Sequence, residues 1–246
     1  MTGATSSTTG RAGRPWAIAT LIAALAFAAS PVIFPEFAGY RPELFPIPQQ
    51  DPPVQPAGWA FSIWGVIYAW LVLGAGFGLW KRAAAPDWQA MRPALIVSLA
   101  VGFFWIPVAN RMPGLATLMI LVMLGTALIA MLRAGPADRW TQRRPVALYA
   151  GWLTAASGVS VGVWLGGHGV LGPVIAAVLC LLAVTAVALA VQARRPGEWA
   201  YPAAVIWALL GVIATNAERG EWLVAGLAGL GAAALLGRIW ANRARG

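Results

Sequence analysis

Apolar residues run in eight long stretches, 15–34, 57–80, 94–110, 114–132, 146–166, 170–192, 199–216 and 222–240, with polar residues gathered in the breaks between them. Each stretch is near the length an α-helix needs to cross roughly 30 Å of hydrocarbon. The pattern predicts an all-α fold, a polytopic membrane helix bundle of about eight transmembrane helices. Residues 1–14 are rich in Ser, Thr and Gly and read as a disordered tail. The first stretch has a rival reading as a cleaved leader, with Ala26-Phe27-Ala28 as the small-residue site. Its apolar run continues through Val32-Ile33-Phe34, which favours an uncleaved span.

Composition agrees with the pattern. The chain is 60% hydrophobic and 10% charged, where a soluble domain is nearer a quarter charged. The net charge of +9 does not indicate nucleic acid, because the basic residues lie between apolar runs and form no basic domain. Their distribution orients the chain instead. The N-terminal tail, the breaks at 81–93, 133–145 and 193–198, and the C-terminal tail hold fourteen of the seventeen Lys and Arg residues. Arg41, Arg111 and Arg219 alone fall on the other side. The positive-inside rule then predicts a cell-membrane protein with both termini cytoplasmic.

The second stretch is the most distinctive. No charge occurs from Val54 to Trp80, and Trp59, Phe61, Trp64 and Tyr68 crowd four aromatics into ten residues. An interfacial belt explains aromatics at the boundary, but Trp64 and Tyr68 lie deeper and, being four apart, share a helix face. Such a face can wall a site for a flat or apolar ligand, or serve only in packing. Before it, residues 35–55 hold Pro35, Pro42, Pro46, Pro48, Pro52 and Pro53. Prolines stiffen this loop, which can act as a lid over the site or as a plain connector.

Pro56-Ala57-Gly58-Trp59-Ala60-Phe61, followed by Ile63-Trp64 and Tyr68, resembles the start of the second transmembrane helix in the translocator protein family, the tryptophan-rich sensory proteins. The third stretch keeps that family's Trp at Trp105, with Ser98 and Gly102 where the family has Gln and Asn. The fifth keeps Tyr149, Trp152 and Ala156, with Leu148 for Pro and Ser160 for Asn. The resemblance is read over residues 15–166. It implies a five-helix translocator-like core at 15–167, with 168–246 adding three transmembrane helices and a short tail. It also implies a pocket under the first loop that takes tetrapyrroles, sterols or flat synthetic ligands. By resemblance the ligand-binding positions are Trp59, Phe61, Trp64, Tyr68, Trp105, Tyr149, Trp152 and Ala156. The family's physiological role is read variously as sensor, transporter or porphyrin-degrading catalyst.

The remaining chemistry is sparse. All eight Asp and Glu residues lie in loops, tails or span ends, which argues against an ion-driven pump. There is no phosphate loop, nucleophile elbow, zinc-protease motif or haem-attachment cysteine pair. His168, Glu36, Glu43, Asp51 and Glu218 are the loop candidates for acid–base groups, and none sits within a span, so no catalytic residue, no metal site and no required cofactor is expected, and the chain reads as a non-enzyme. Cys180 lies inside an apolar run and reads as packing. Gly158, Gly162 and Gly166, and likewise Gly74 and Gly78, are spaced four apart. That spacing permits close helix contact within the bundle or across a homodimer. The expected partners are the bilayer and a small planar ligand, a tetrapyrrole being the candidate. Three functions stay open: a binding or sensory protein, a small-molecule transporter completed by the last three spans, and a structural protein whose aromatics only pack.

Overall fold

Once inside a bilayer, a backbone has no water to bond to, so each span must satisfy its own N–H and C=O groups as a helix. The computed structural model describes residues 6–34, 37 and 39–244 and contains eight such helices. They are α1 (Ser6–Ile33), α2 (Ile63–Lys81), α3 (Pro86–Ala109), α4 (Pro113–Arg133), α5 (Arg144–Gly167), α6 (Pro173–Arg194), α7 (Ala200–Glu218) and α8 (Trp222–Arg243). All eight are long and apolar enough to cross a membrane, and the chain is a multi-pass membrane protein. A 3₁₀ turn, Gly58–Ser62, leads into α2, and a π turn, Arg139–Arg143, leads into α5. Proline opens α3, α4, α5 and α6 in the first turn, where its missing N–H costs no helical bond. Gly169 and Gly220, both at positive φ, end the turns after α5 and α7.

Three boundaries differ from the sequence reading. The helix begins at Ser6, so residues 6–14 are helical rather than a disordered tail; residues 1–5 lie outside the described residues. Packing holds this extension: a side chain at Gly13 would overlap Gln89 and the Ala83 carbonyl. Pro35 and Glu36 of the proline-rich loop, and Arg245 of the tail, also lie outside the described residues. The break assigned to 81–93 is mostly helix, because α3 starts at Pro86. Arg92, only 1% exposed, donates to the carbonyls of Gly78 and Arg82, each at 3.1 Å, and of Ala83 at 2.6 Å. A buried cation at a helix C-terminus satisfies orphan carbonyls there. The break at 133–145 is likewise shortened by the π turn.

The helices form two groups that share α5. In the first, α1 packs on α2 and α3, α3 on α4, and α4 on α5, and α5 touches α2 to close a five-helix ring. In the second, α5, α6, α8 and α7 close a four-membered ring. Of the part of each helix best suited to the membrane, 78% is buried in α5 and 67% in α7, against 28–39% in the other six. A helix with neighbours on every side needs small residues so that backbones can approach. Gly151 of α5 lies against the Tyr201 carbonyl of α7, Gly158 against Val184 of α6, and Gly162 and Gly166 against Val54 and Gln49 of the first loop. Gly74 and Gly78 are filled by Thr141 and Trp88. The four-apart glycines therefore receive side chains and backbone of this same chain.

Contacts among loops and helix ends tie the bundle together at both of its ends. At one end Arg82 pairs with Asp138 at 2.8 Å, and Asn242 donates to the Pro196 carbonyl at 3.2 Å. At the other, Arg41 donates to the Asn110 carbonyl at 3.2 Å and Arg219 pairs with Asp51 at 3.0 Å.

Candidate functional site

The five-helix ring is not filled. It holds a partly open cavity of about 390 Å³ whose walls come from every one of its helices. Phe27, Ser30 and Pro31 come from α1 and Phe34 from the residue just after it, Trp64 and Tyr68 from α2, and Gly102, Trp105 and Ile106 from α3. Ile120 and Met123 of α4, Trp152, Leu153 and Ala156 of α5, and Phe37, Gly58 and Phe61 of the first loop and its 3₁₀ turn complete the wall. No Asp, Glu, His, Lys or Arg lines it among the described residues.

Edge-to-face aromatic contacts hold the wall open, as ring quadrupoles favour. Phe27 meets Trp64, Tyr68 and Tyr149 at centroid distances of 5.8, 5.1 and 5.5 Å, all T-shaped. Trp64 and Tyr68 stack on each other at 5.3 Å, as their four-residue spacing requires. Trp152 meets both Phe61 and Trp64 edge-on, at 5.8 and 5.9 Å. Rings fixed against each other in this way cannot collapse into the void without losing several contacts together. The Trp105 indole donates to the Ala116 carbonyl at 2.9 Å, which ties α3 to α4.

Of the eight positions implied by resemblance, Phe61, Trp64, Tyr68, Trp105, Trp152 and Ala156 come together on the cavity wall. Trp59 and Tyr149 do not line it. Trp59 is 48% exposed and packs edge-on against Trp207 of α7 at 5.0 Å. Tyr149 is 0% exposed; it contacts Phe27 and hydrogen-bonds Ser98 at 2.9 Å, behind the wall. Ser98, where the family pattern has Gln, also donates to the Met123 carbonyl at 2.8 Å. Residue types alone did not single out Phe27, Phe37, Tyr40 or Met123. The available signal for Phe27 was a lone large ring in the Ala-rich stretch Ala23–Ala29.

A second, smaller chamber of about 50 Å³ adjoins the first and shares Phe61, Trp105 and Trp152 with it. Its polar lining is Tyr40, Gln55 and Ser160. The Tyr40 hydroxyl meets Ser160 Oγ at 2.5 Å, and Ser160 meets Thr117 Oγ1 at 3.0 Å. Burial pushes the Tyr40 phenol above its ordinary value, and its hydroxyl contacts offset this only in part. Ala208 of α7 also lines this chamber, the one contribution of α6–α8 to either space.

The loop above is anchored chiefly to α5 and α7. Ile47 N–H donates to the Gly167 carbonyl at 2.9 Å, Ala57 N–H to the Gly211 carbonyl at 3.0 Å, and Asn216 Nδ2 to the Pro53 carbonyl at 2.8 Å. His168 stacks on Trp164 at 4.5 Å and meets Phe45 edge-on at 6.0 Å, holding the other end of the same loop.

A five-helix membrane ring with an aromatic cavity under an anchored loop makes this a multi-pass membrane protein with a candidate site for an apolar ligand. The family described as TSPO-like protein matches residues 47–240, and the chain belongs to that family. The matched residues run past the five helices on which the resemblance was read and take in α6, α7 and nearly all of α8. No curated protein and no solved structure matches the chain.

Proposed function

We propose that this TSPO-like membrane protein binds a flat, apolar ligand in the ring cavity and acts as a binding or sensory protein rather than as a catalyst. One observation carries the reading: about 390 Å³ of space bounded by aromatic side chains from helices distant in sequence. Concave, mostly apolar sites of this size suit planar ligands. The family resemblance suggests a tetrapyrrole. Its ring system suits the walls, but any carboxylates must project out of the cavity, because no cation lines it among the described residues. Among the described residues the cavity wall carries no charged side chain, which supports binding over catalysis, since acid–base chemistry needs such groups within reach. The charge asymmetry of the loops supports a cell-membrane location with both termini cytoplasmic. The transporter reading draws no support from the large cavity, to which α6–α8 add no wall.

Titration of the purified protein with protoporphyrin, read by porphyrin fluorescence, tests the proposal. Trp64→Ala or Trp152→Ala should each weaken binding by about tenfold, the loss of one aromatic wall. Equal affinity in both variants and the parent would refute the site.

A further inference from the structure

Arg139 and Arg143 are the first and last residues of the π turn, and Arg144 is the first of α5. Among the described residues none of these three side chains joins an ion pair, and the buried Arg143 Nε and Arg144 Nη1 have no hydrogen-bond partner. The Arg144 guanidinium lies 3.8 Å from the centre of the Trp140 ring and 5.4 Å from that of Trp199. Trp140 in turn meets Trp199 edge-on at 6.2 Å and Trp70 at 6.1 Å. Counter-charge is scarce here. Arg139, Arg144, Arg195 and Glu198 all lie within electrostatic reach of Arg143. Glu198 is 4% exposed and accepts from the Ala200 N–H at 3.0 Å. Asp138, beside Arg139 in the chain, is engaged by Arg82 and Trp88. Four arginines therefore share one carboxylate, which is turned to the start of α7. The π turn also sits below the end of the bundle. Trp70 donates its indole N–H to the Trp140 carbonyl at 2.7 Å, and the Thr141 carbonyl fills the space beside Gly74. Gly74 lies seven residues before Lys81, where α2 ends, or about 10 Å along the axis. Arginines set back this far extend toward the headgroup layer, and Trp140, 61% exposed, marks that level.

We infer that this arginine–tryptophan cluster is a second binding site, which holds the phosphate of an anionic phospholipid headgroup at the edge of the bilayer. Guanidinium forks match phosphate oxygens in pairs, and the anion supplies the charge that Glu198 alone does not. The indoles of Trp140 and Trp199 keep Arg144 in place by cation–π attraction, so little order is lost when the headgroup arrives. A zwitterionic headgroup brings a cation of its own to the four arginines and is the poorer fit. The site is separate from the ring cavity, whose wall contains none of these residues. It stands where α2, α5 and the start of α7 meet, so a bound headgroup touches both helix rings.

Native mass spectrometry of the detergent-purified protein counts the lipids it retains. Phosphatidylglycerol and phosphatidylcholine with the same acyl chains are titrated separately. The first phosphatidylglycerol should bind about tenfold more tightly than the first phosphatidylcholine. Arg143→Gln and Arg144→Gln should each lower that preference about fivefold, the effect of one cation near an anionic headgroup. Lys81→Gln removes an exposed cation at the same end but outside the cluster, and should leave the preference unchanged. An excess of dissolved glycerophosphate separates a lipid from a free phosphate. Retention of phosphatidylglycerol supports the lipid site, and its displacement assigns the arginines to a soluble phosphate and overturns the lipid reading. Equal affinity of the parent for the two lipids also overturns the inference, as does a loss in Lys81→Gln as large as that in Arg144→Gln, which reports only diffuse charge. The comparison of lipids on the parent needs no variant and decides the matter where a substituted protein does not fold.

Discussion

Trp207 of α7 donates its indole N–H to the carbonyl of Ala60 at 2.8 Å. Ala60 lies in the 3₁₀ turn that carries Phe61 into the cavity wall, so α7 holds a turn of the binding ring without lining the large cavity. Trp59 packs on the same indole, and Gly211, one turn further along α7, admits Pro56 and Ala60 at close quarters. α7 thus acts on the ring from outside, through its first loop as well as through α5.

Gly211 tests this bracing. Any side chain there meets Pro56 and Ala60. Gly211→Leu should cost about 1–3 kcal/mol through overpacking and weaken ligand binding, with helix content retained. Thermal unfolding in detergent and probe titration report both. Binding that persists at parental affinity would detach α7 from the site.

The Asp51–Arg219 pair on the same loop should contribute little. Both side chains are exposed, at 75% and 38%, and exposed pairs give about 0–1 kcal/mol. Asp51, however, sits at φ +48°. Asp51→Gly should therefore be tolerated, and Asp51→Val should be the more destabilising, because a β-branched residue resists that conformation. A thermal-shift comparison of the two variants checks the order.

Phe27 supports the wall from within α1, touching Trp64, Tyr68 and Tyr149. Truncation to Ala should cost about 3–5 kcal/mol and let Trp64 and Tyr68 turn into the enlarged space. A red-shifted tryptophan emission together with weakened probe binding is the expected signature. Loss of stability with unaltered binding would confine Phe27 to packing.

At the opposite end, Asp138 accepts from Arg82 Nε at 2.8 Å and from Trp88 Nε1 at 2.9 Å. Partial burial works to raise its pKa, but the two hydrogen bonds and the Arg82 charge outweigh it, and the carboxyl is held below its ordinary value. A carboxylate depressed in the folded state stabilises above its unfolded pKa, and that stability is lost as pH falls through the folded value. The parent should therefore lose stability on acidification below about pH 4. Asp138→Asn keeps an acceptor for Trp88 and should flatten that acid limb. Unfolding midpoints from pH 3 to 7 decide it.

Much of the candidate site was legible because its residue types are rare in a span. Trp64 and Tyr68 share a face by spacing alone, and they stack where that spacing puts them. Trp105 and Trp152 were found by resemblance, and both line the cavity. Trp59 was grouped with them, yet turns to Trp207, a partner more than a hundred residues away that no local pattern announces. Arg92 read as a loop charge and proved to be a buried cap on α2.

The sequence by itself determined the eight spans and the alternation of their loops, because burial in lipid forces each apolar run to close its own hydrogen bonds and because charge is excluded from it. Only the tertiary structure decided which face of each helix turns inward and that α5 serves two rings at once. In water an apolar stripe marks the buried face. In lipid both faces are apolar, and helix rotation is set by how small residues and rings fit their neighbours. The hydroxyl chain from Tyr40 through Ser160 to Thr117 exists only because a loop, α5 and α4 meet there.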